Sequence, residues 1–364
     1  MRVLFAGGGT GGHINPAISI ADYIKSKEDK FEVLFVGTKR GLETKLVPAA
    51  GYDIKYIDVM GFDRKHLLRN FKVIKKLISA KSDCKKIIKE FKPDYIVCTG
   101  GYVSGPVTMA AKALKIPSLI HEQNVYPGLT VKKSEKYVSC IAVSFEETLN
   151  HIDKTKCVVT GNPVRPEILN ADRDKAREKL GLKEDEPFVL IFGGSLGADK
   201  INENVVKMLK KVSEDKKFTL MFGTGDRNYD KISEQIKKEG ITLTDNIKVL
   251  PYINNMHECM AAADVVVSRS GAITLSEIAI LGKPSVLIPS PNVVRNHQEQ
   301  NARALEKGGA AKVITEDVLS SDVLYDTICE LAGDSEKLEN MSKSAKKFAK
   351  PDALEKLYQI VKNK

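Results

Sequence analysis

The stretch "RVLFAGGGTGGHINPA", residues 2–17, decides the fold. Residues 2–7 form a short apolar run that reads as a strand. Gly7, Gly8, Gly9, Gly11 and Gly12 follow almost without interruption, and His13 comes directly after them. Pro16 then opens the helical pattern "PAISIADYIKSK", at a position favoured in a first turn. A glycine turn between a strand and a helix bares backbone N–H groups where the helix adds partial positive charge. That combination suits an anion, most often a phosphate. No Gly-Lys-Ser/Thr follows, so this is not a Walker loop. Gly7, Gly9 and Gly12 have dinucleotide spacing, but the second strand "EVLFVGTKRG" ends in Gly37, Thr38 and Lys39, with no acid for a ribose. NAD is therefore disfavoured. A purely structural turn is the plainer alternative for any single glycine cluster.

The same unit recurs along the chain. "FEVLFVG", "PDYIVCTG" and "PSLIHEQ" read as further strands with helical patterns between them, which argues for a parallel sheet covered by helices. The plan restarts at "PFVLIFGGSLGADKINENVVKML". "FTLMFGTG", "NIKVLPYI", "ADVVVSRSG", "KPSVLIPSP" and "AAKVITE" supply more strands. The join lies near "VVTGNPVRPEIL". The expected fold class is α/β: two Rossmann-like, doubly wound parallel-sheet domains facing across a ligand cleft. Residues 1–162 plus 344–364 make the first and residues 163–343 the second, with the last helix crossing back. A second glycine turn, "TGGYVSGP" (99–106), ends another strand of the first domain. Gly8 and Gly9 with Gly101, Tyr102 and Ser104 are then candidates to grip a pyrophosphate from two sides. A third turn, "GGSLGA" (193–198), opens the second domain.

Composition narrows the partners. Residues 1–162 hold 26 Lys+Arg against 16 Asp+Glu, while the rest of the chain is balanced, so the first half carries the whole net charge of +10. An anionic partner for that half follows: nucleic acid, phosphate or an acidic membrane surface. Nucleic acid is poorly served, because aromatic residues are 6% and Trp is absent. The six cysteines form no CxxC pair and read as buried thiols, with no disulfide framework or zinc site. No run of eighteen apolar residues occurs, and the opening residues do not read as a signal peptide, so a cytoplasmic location is expected.

Seven motifs in order, "GGTGGHINPA", "GGYVSGP", "HEQN", "GNPVR", "GGSLGA", "RSGAITLSE" and "NHQEQNA", resemble the MurG family of GT-B glycosyltransferases. The resemblance implies inverting, metal-independent transfer of N-acetylglucosamine from UDP-GlcNAc to lipid I, giving lipid II for the bacterial cell wall. No cofactor is implied. It also implies peripheral attachment to the cytoplasmic face of the cell membrane. Carried over by motif, Thr10, Gly11, Gly12 and His13 face the donor sugar and the acceptor, and Asn124 contacts the donor. Arg165 and Ser195 hold the phosphate side of the nucleotide, and the Ile253 backbone reads the uracil edge. Ala272, Ile273, Thr274, Leu275, Ser276 and Glu277 lie under the phosphates, with Glu277 on the ribose, and Gln298 binds sugar hydroxyls. His297 departs from a glutamine found in some members.

The chemistry needs two things. Charge building on the departing diphosphate requires a cation or helix N-terminus. "SRSGAITLSEIAI", with its strand ending at Arg269, and Arg165 fit that role. The only DxD, Asp172-Arg173-Asp174, reads instead as a solvated helix start. The attacking hydroxyl requires a base. His13 is the candidate, with His121 and Glu122 as rivals, though His121 also suits a backbone-bonding role. Residues 64–92 hold eleven Lys/Arg and two acids, with Leu67, Leu68, Phe71, Ile74, Leu77 and Ile78 at helical spacing. Leu67, Leu68, Phe71, Lys72 and Lys75 would lie on anionic lipid; an ordinary amphipathic helix is the alternative. A related GT-B enzyme with another lipid acceptor, a nucleic-acid-binding protein and a sugar-nucleotide epimerase complete the competing readings.

Overall fold

The computed structural model describes residues 1–61, 69–194 and 197–363. It divides into two units, Met1–Val164 with Lys350–Lys364, and Arg165–Ala349.

Unit 1 is a sheet of seven parallel strands: β1 (Arg2–Gly7), β2 (Glu32–Gly37), β3 (Ile54–Tyr56), β4 (Tyr95–Gly100), β5 (Ser118–Glu122), β6 (Cys140–Val143) and β7 (Cys157–Val159). Their order is β3-β2-β1-β4-β5-β6-β7. Alternate residues of β1 enter different cores. Leu4 and Ala6 pack on one face with Ile96, Cys98 and Ile120. Val3 and Phe5 pack on the other with Phe35, Val97 and Leu119. Burial on both faces explains why the strands read as continuous apolar runs. Helices α1 (Gly11–Lys27) and α2 (Glu43–Ala49) follow β1 and β2. Helices α3 (Arg69–Phe91) and α4 (Ser104–Ala113) flank β4.

Helix α1 begins at Gly11, five residues before Pro16, so Pro16 lies inside it rather than in its first turn. A proline there removes one helical N–H and crowds the carbonyl four residues back. That residue is Gly12, which has no side chain to add to the crowding. The final helix, Ala353–Lys362, buries Leu354, Leu357, Tyr358 and Val361 in the α1 side of the unit 1 core. The chain returns to unit 1 at Lys350, not at residue 344. Helix Ser335–Lys347 runs unbroken through that point, with Ala345 buried and Lys346 against Gly282. β3, β6 and β7 were not anticipated. Each has only three or four residues.

Unit 2 repeats the plan with six parallel strands: β8 (Phe188–Phe192), β9 (Thr219–Gly223), β10 (Ile247–Leu250), β11 (Val265–Ser268), β12 (Ser285–Leu287) and β13 (Ala311–Val313). The order β10-β9-β8-β11-β12-β13 reproduces that of unit 1. In both, the strand order reverses between the first and fourth strands of the unit, and such a switch point opens a crevice at the carboxyl ends. β1 and β4 flank it in unit 1, β8 and β11 in unit 2. Every glycine turn singled out in the sequence follows one of these strands.

Candidate active site

In unit 1 the two glycine turns touch. A Cβ on Gly101 would stand 2.3 Å from the Gly8 carbonyl oxygen, and one on Gly7 would stand 2.2 Å from Thr99 Oγ1. Glycine is required at Gly101 by the close approach of a second backbone and at Gly7 by the Thr99 hydroxyl. Thr99 Oγ1 donates to the His13 carbonyl at 2.7 Å, tying the start of α1 to the end of β4. The His13 ring lies on Gly100, where a Cβ would meet its Cδ2 at 2.7 Å. His13 Nδ1 is 3.2 Å from the Gly8 carbonyl and 3.3 Å from Thr10 Oγ1. A carbonyl only accepts, so Nδ1 carries the proton and the neutral ring has its lone pair on Nε2. Thr10 is the N-cap residue of α1 and makes no side-chain cap. Thr10 and Gly12 are exposed, and Gly11 is half-buried.

The pyrophosphate grip expected from these turns needs correction. The Gly9 N–H donates to Glu43 Oε2 at 3.0 Å. The Ser104 hydroxyl is fully buried and bonds Ala6 and Gly100 carbonyls while accepting from the Gly100 N–H. Both groups are occupied within the protein. Of the five residues expected to hold pyrophosphate, Gly8, Gly101 and Tyr102 remain, the Tyr102 ring standing beside Gly9.

Glu43 is the residue the sequence reading missed. It is 0% exposed. Oε1 accepts from the Thr38 N–H at 2.9 Å and the Thr38 hydroxyl at 2.8 Å, while Oε2 takes Gly9. Burial alone would raise its pKa. The hydrogen bonds from Gly9 and Thr38 outweigh burial and hold the carboxyl below its ordinary range.

The rival bases sit in the interior. His121 is 0% exposed; its Nε2 donates to the Gly161 carbonyl at 3.0 Å, and its Nδ1 accepts from Gln123 Nε2 at 3.0 Å. Burial pushes it down to about 4, so it is neutral and has no lone pair to offer. Glu122 is buried as well. Its Oε1 accepts from the Asn124 N–H and side-chain amide, and its Oε2 from the Gly128 N–H at 2.7 Å. Burial raises its pKa despite these bonds. Glu122 thus braces the loop that presents Asn124.

In unit 2, β11 ends at Ser268, one residue before Arg269. Arg269 turns inward, bonding the Ile288 and Pro289 carbonyls and pairing with Glu316. Helix Ala272–Leu281 follows, with Gly271 at its N-cap, no side-chain cap and no acid in its first turn. The first N–H groups of a helix have no partner within it, which makes this end partially positive. Ile273 and Thr274 are half-buried, Leu275 packs into the core, and Ser276 bonds back to the Ala272 carbonyl at 3.1 Å. Those last two residues contribute backbone or helix geometry rather than free side chains.

Glu277, in the second turn, is 7% exposed and lies 3.7 Å from the Arg165 guanidinium. Burial raises its pKa and Arg165 opposes the rise. The structure therefore brings together the expected phosphate cation and the expected ribose acid. Gln298 lies on the next helix: its Oε1 accepts from the Ser290 N–H, and its carbonyl takes the Ser270 hydroxyl at 2.8 Å. Arg295 and Asn296, just before it, both have positive φ (57° and 51°), a strained entry that aims the start of helix His297–Lys307. Ile253 rests its side chain on Gly223, leaving its main chain as the part able to read a base. Ser195 lies outside the described residues.

Asp172 caps helix Arg173–Leu180 by accepting from the Lys175 N–H, as expected of a helix start. Among the described residues no group of three or more His, Cys, Asp and Glu side chains is placed to hold a metal ion.

Residues 3–143 match the glycosyltransferase family 28 N-terminal domain, and residues 188–357 match the C-terminal domain of the same family. The chain belongs to glycosyltransferase family 28, in its MurG branch. The family assignment accounts for both switch points at once: the N-terminal match lies within unit 1, and the C-terminal match covers the unit 2 sheet before running into residues 350–357, where the chain has returned to unit 1. A relative from Acetivibrio thermocellus is 49% identical over 364 residues, covering 100% of this chain and 98% of its own. It is named UDP-N-acetylglucosamine–N-acetylmuramyl-(pentapeptide) pyrophosphoryl-undecaprenol N-acetylglucosamine transferase. The crystal structure of Acinetobacter baumannii MurG superposes with a TM-score of 0.80 at 28% identity, over 100% of this chain and 99% of that one. A UDP-GlcNAc 2-epimerase from Neisseria meningitidis, bound to UDP-GlcNAc, shares the fold with a TM-score of 0.68 at 14% identity, over 100% of both chains.

Proposed function

We propose that this enzyme transfers N-acetylglucosamine from UDP-GlcNAc to the 4-hydroxyl of the N-acetylmuramyl sugar of lipid I, forming lipid II and UDP for peptidoglycan synthesis. The full-length, 49% identical transferase carries this reading. The epimerase likeness is one of fold alone, and it supplies no reason to replace the transfer by an epimerisation.

Unit 2 takes the donor. The N–H groups from Ala272 onward and the Arg165 guanidinium meet the diphosphate, Glu277 receives the ribose hydroxyls, Ile253 the uracil and Gln298 the sugar; Asn124 is a donor contact carried by unit 1. Ser195 completes the phosphate side. Unit 1 takes the acceptor, with Gly8, Gly101 and Tyr102 near its pyrophosphate. His13 Nε2 accepts the proton of the attacking hydroxyl as that oxygen bonds to the anomeric carbon. The bond to UDP breaks on the opposite face, which inverts the centre. Charge arriving on the departing phosphate is stabilised by the helix start and Arg165, and the Gly8 carbonyl, accepting from Nδ1, makes Nε2 the nitrogen that takes the proton.

Membrane contact falls to α3. Val73, Ala80, Cys84 and Ile88 are its buried stripe, which accounts for the core-facing part of the amphipathic pattern. Ile78, 65% exposed, and Lys75 point away from that stripe. Phe71 and Lys72 lie on the same helix, and Leu67 and Leu68 lie outside the described residues. Among the described residues no helix is long and apolar enough to cross a membrane. Attachment at the cytoplasmic face through anionic lipid suits this surface.

The test is transfer of labelled GlcNAc to a soluble lipid I analogue, in EDTA, by wild type and His13→Ala. We expect transfer by wild type and a loss of several hundredfold in the variant, on the order of what general-base removal costs, with UDP binding retained. UDP release or epimerised sugar without a disaccharide product would contradict the reading.

A further inference from the structure

One peptide unit in the first glycine turn is bonded at both ends. The N–H of the Gly8–Gly9 peptide donates to Glu43 Oε2 at 3.0 Å, and its carbonyl accepts from His13 Nδ1 at 3.2 Å. We propose that Glu43 is a positioning residue for His13, acting through the Gly8–Gly9 peptide as a carboxylate partner one peptide removed. This inference rests on His13 being the base.

The argument is electrostatic and geometric. A carboxylate accepting from an amide N–H polarises that amide and makes its carbonyl oxygen a stronger acceptor, since hydrogen bonds in a chain reinforce one another in a low-dielectric interior. The strengthened carbonyl holds the Nδ1–H tautomer and favours the protonated ring, so Nε2 becomes a better base. A carboxylate bonded directly to imidazole does the same with one fewer link.

The surroundings are shaped around the carboxylate. A Cβ on Gly8 would stand 2.9 Å from Glu43 Oε1, one on Gly41 would stand 1.9 Å from Oε2, and one on Gly37 would stand 2.6 Å from Cγ. Three glycines from two loops thus make room for one buried acid. The hydrogen bonds that keep this carboxyl below its ordinary range keep it ionised at neutral pH. The other ionisable groups on the segments around it are Lys39, Arg40 and Lys45, all exposed, and Tyr102, whose ring stands beside Gly9. An isolated brace for the loop would need only a neutral acceptor; this site holds a buried charge with no cation among its hydrogen-bond partners in the described residues.

The experiment uses the full-length enzyme with nitrogen-15-labelled histidine, assigning His13 by comparison with His13→Ala. Wild type should show the Nδ1–H tautomer of His13 at neutral pH; the opposite tautomer overturns the proposal without any Glu43 variant. Glu43→Gln should lower the His13 pKa by about half a unit to one unit and lower kcat about tenfold, with KM for UDP-GlcNAc unmoved. Thr38→Val removes one hydrogen bond to the carboxylate but leaves its charge. It should lower the melting temperature while leaving the His13 pKa in place. If Glu43→Gln also lowers only the melting temperature, Glu43 is a loop brace and the proposal fails. Should His13→Ala retain transfer, the base reading fails instead, while the spectra still report whether Glu43 acts on the ring.

Discussion

The two units share a strand order and differ at the point where it reverses. In unit 1 the amide that the glycine turn bares at Gly9 is taken by the protein's own carboxylate, Glu43, and the second turn is closed by Ser104. In unit 2 the helix after β11 starts with no side-chain cap and no acid in its first turn, beside Arg165 and Glu277. The same topology therefore yields one switch point whose Gly9 amide is taken by the protein's own carboxylate, and one whose helix start carries neither a side-chain cap nor a first-turn acid. The difference teaches that a glycine turn after a strand identifies a place, and that the groups already bonded there decide its use.

The largest effect that would break this contrast concerns the interior of unit 1. His121 refuses a proton near pH 4 that the unfolded chain accepts near 6.5. As pH falls from 6.5 to 4 the unfolded chain binds more protons, so stability must fall across that window. The loss approaches about 3 kcal/mol below it. Amide exchange in β1, β4 and β5 should accelerate accordingly, and His121→Gln should flatten the slope. A slope that His121→Gln leaves unchanged would show that the acid sensitivity of unit 1 lies elsewhere.

Next comes the switch point of unit 2. Arg165→Ala removes the cation and leaves Glu277 buried without it. We expect kcat/KM for UDP-GlcNAc to fall about thirtyfold, or about 2 kcal/mol, as for a hydrogen bond to a charged group. The KM for the acceptor should stay within about twofold. A loss shared equally by both substrates would remove the division of labour between the units.

Much of this was legible in the sequence, for physical reasons. Both parallel sheets could be read because strands buried on two faces are short apolar runs, and the turns because glycine is needed where a Cβ would clash, as at Gly101, where it would stand 2.3 Å from the Gly8 carbonyl oxygen. The start of α1 was misplaced because Pro16 is a stronger helix-start signal than the glycines before it. The pairing of Arg165 with Glu277 joins residues 112 apart in sequence; the family resemblance put each on the nucleotide, and nothing in the sequence paired them. Glu43 escaped because an acid at the first residue of a helix is ordinarily solvated and favoured by the dipole. Nothing in "TKRGLETK" distinguishes it, and its burial arises only when β1, β2 and α2 come together.

The smallest predicted effect is at the surface of α3. Lys75→Gln should weaken binding to anionic vesicles about fivefold, or about 1 kcal/mol, and leave binding to neutral vesicles unchanged. Equal weakening on both would indicate an apolar rather than an electrostatic contact.

Amide hydrogen exchange of the full-length enzyme with and without UDP tests the central division most directly. The account predicts protection of residues 270–275 in unit 2, with exchange at residues 8–12 of unit 1 unchanged, because the Gly9 amide is already bonded to Glu43. Protection of residues 8–12 by UDP, with residues 270–275 unaffected, would contradict it.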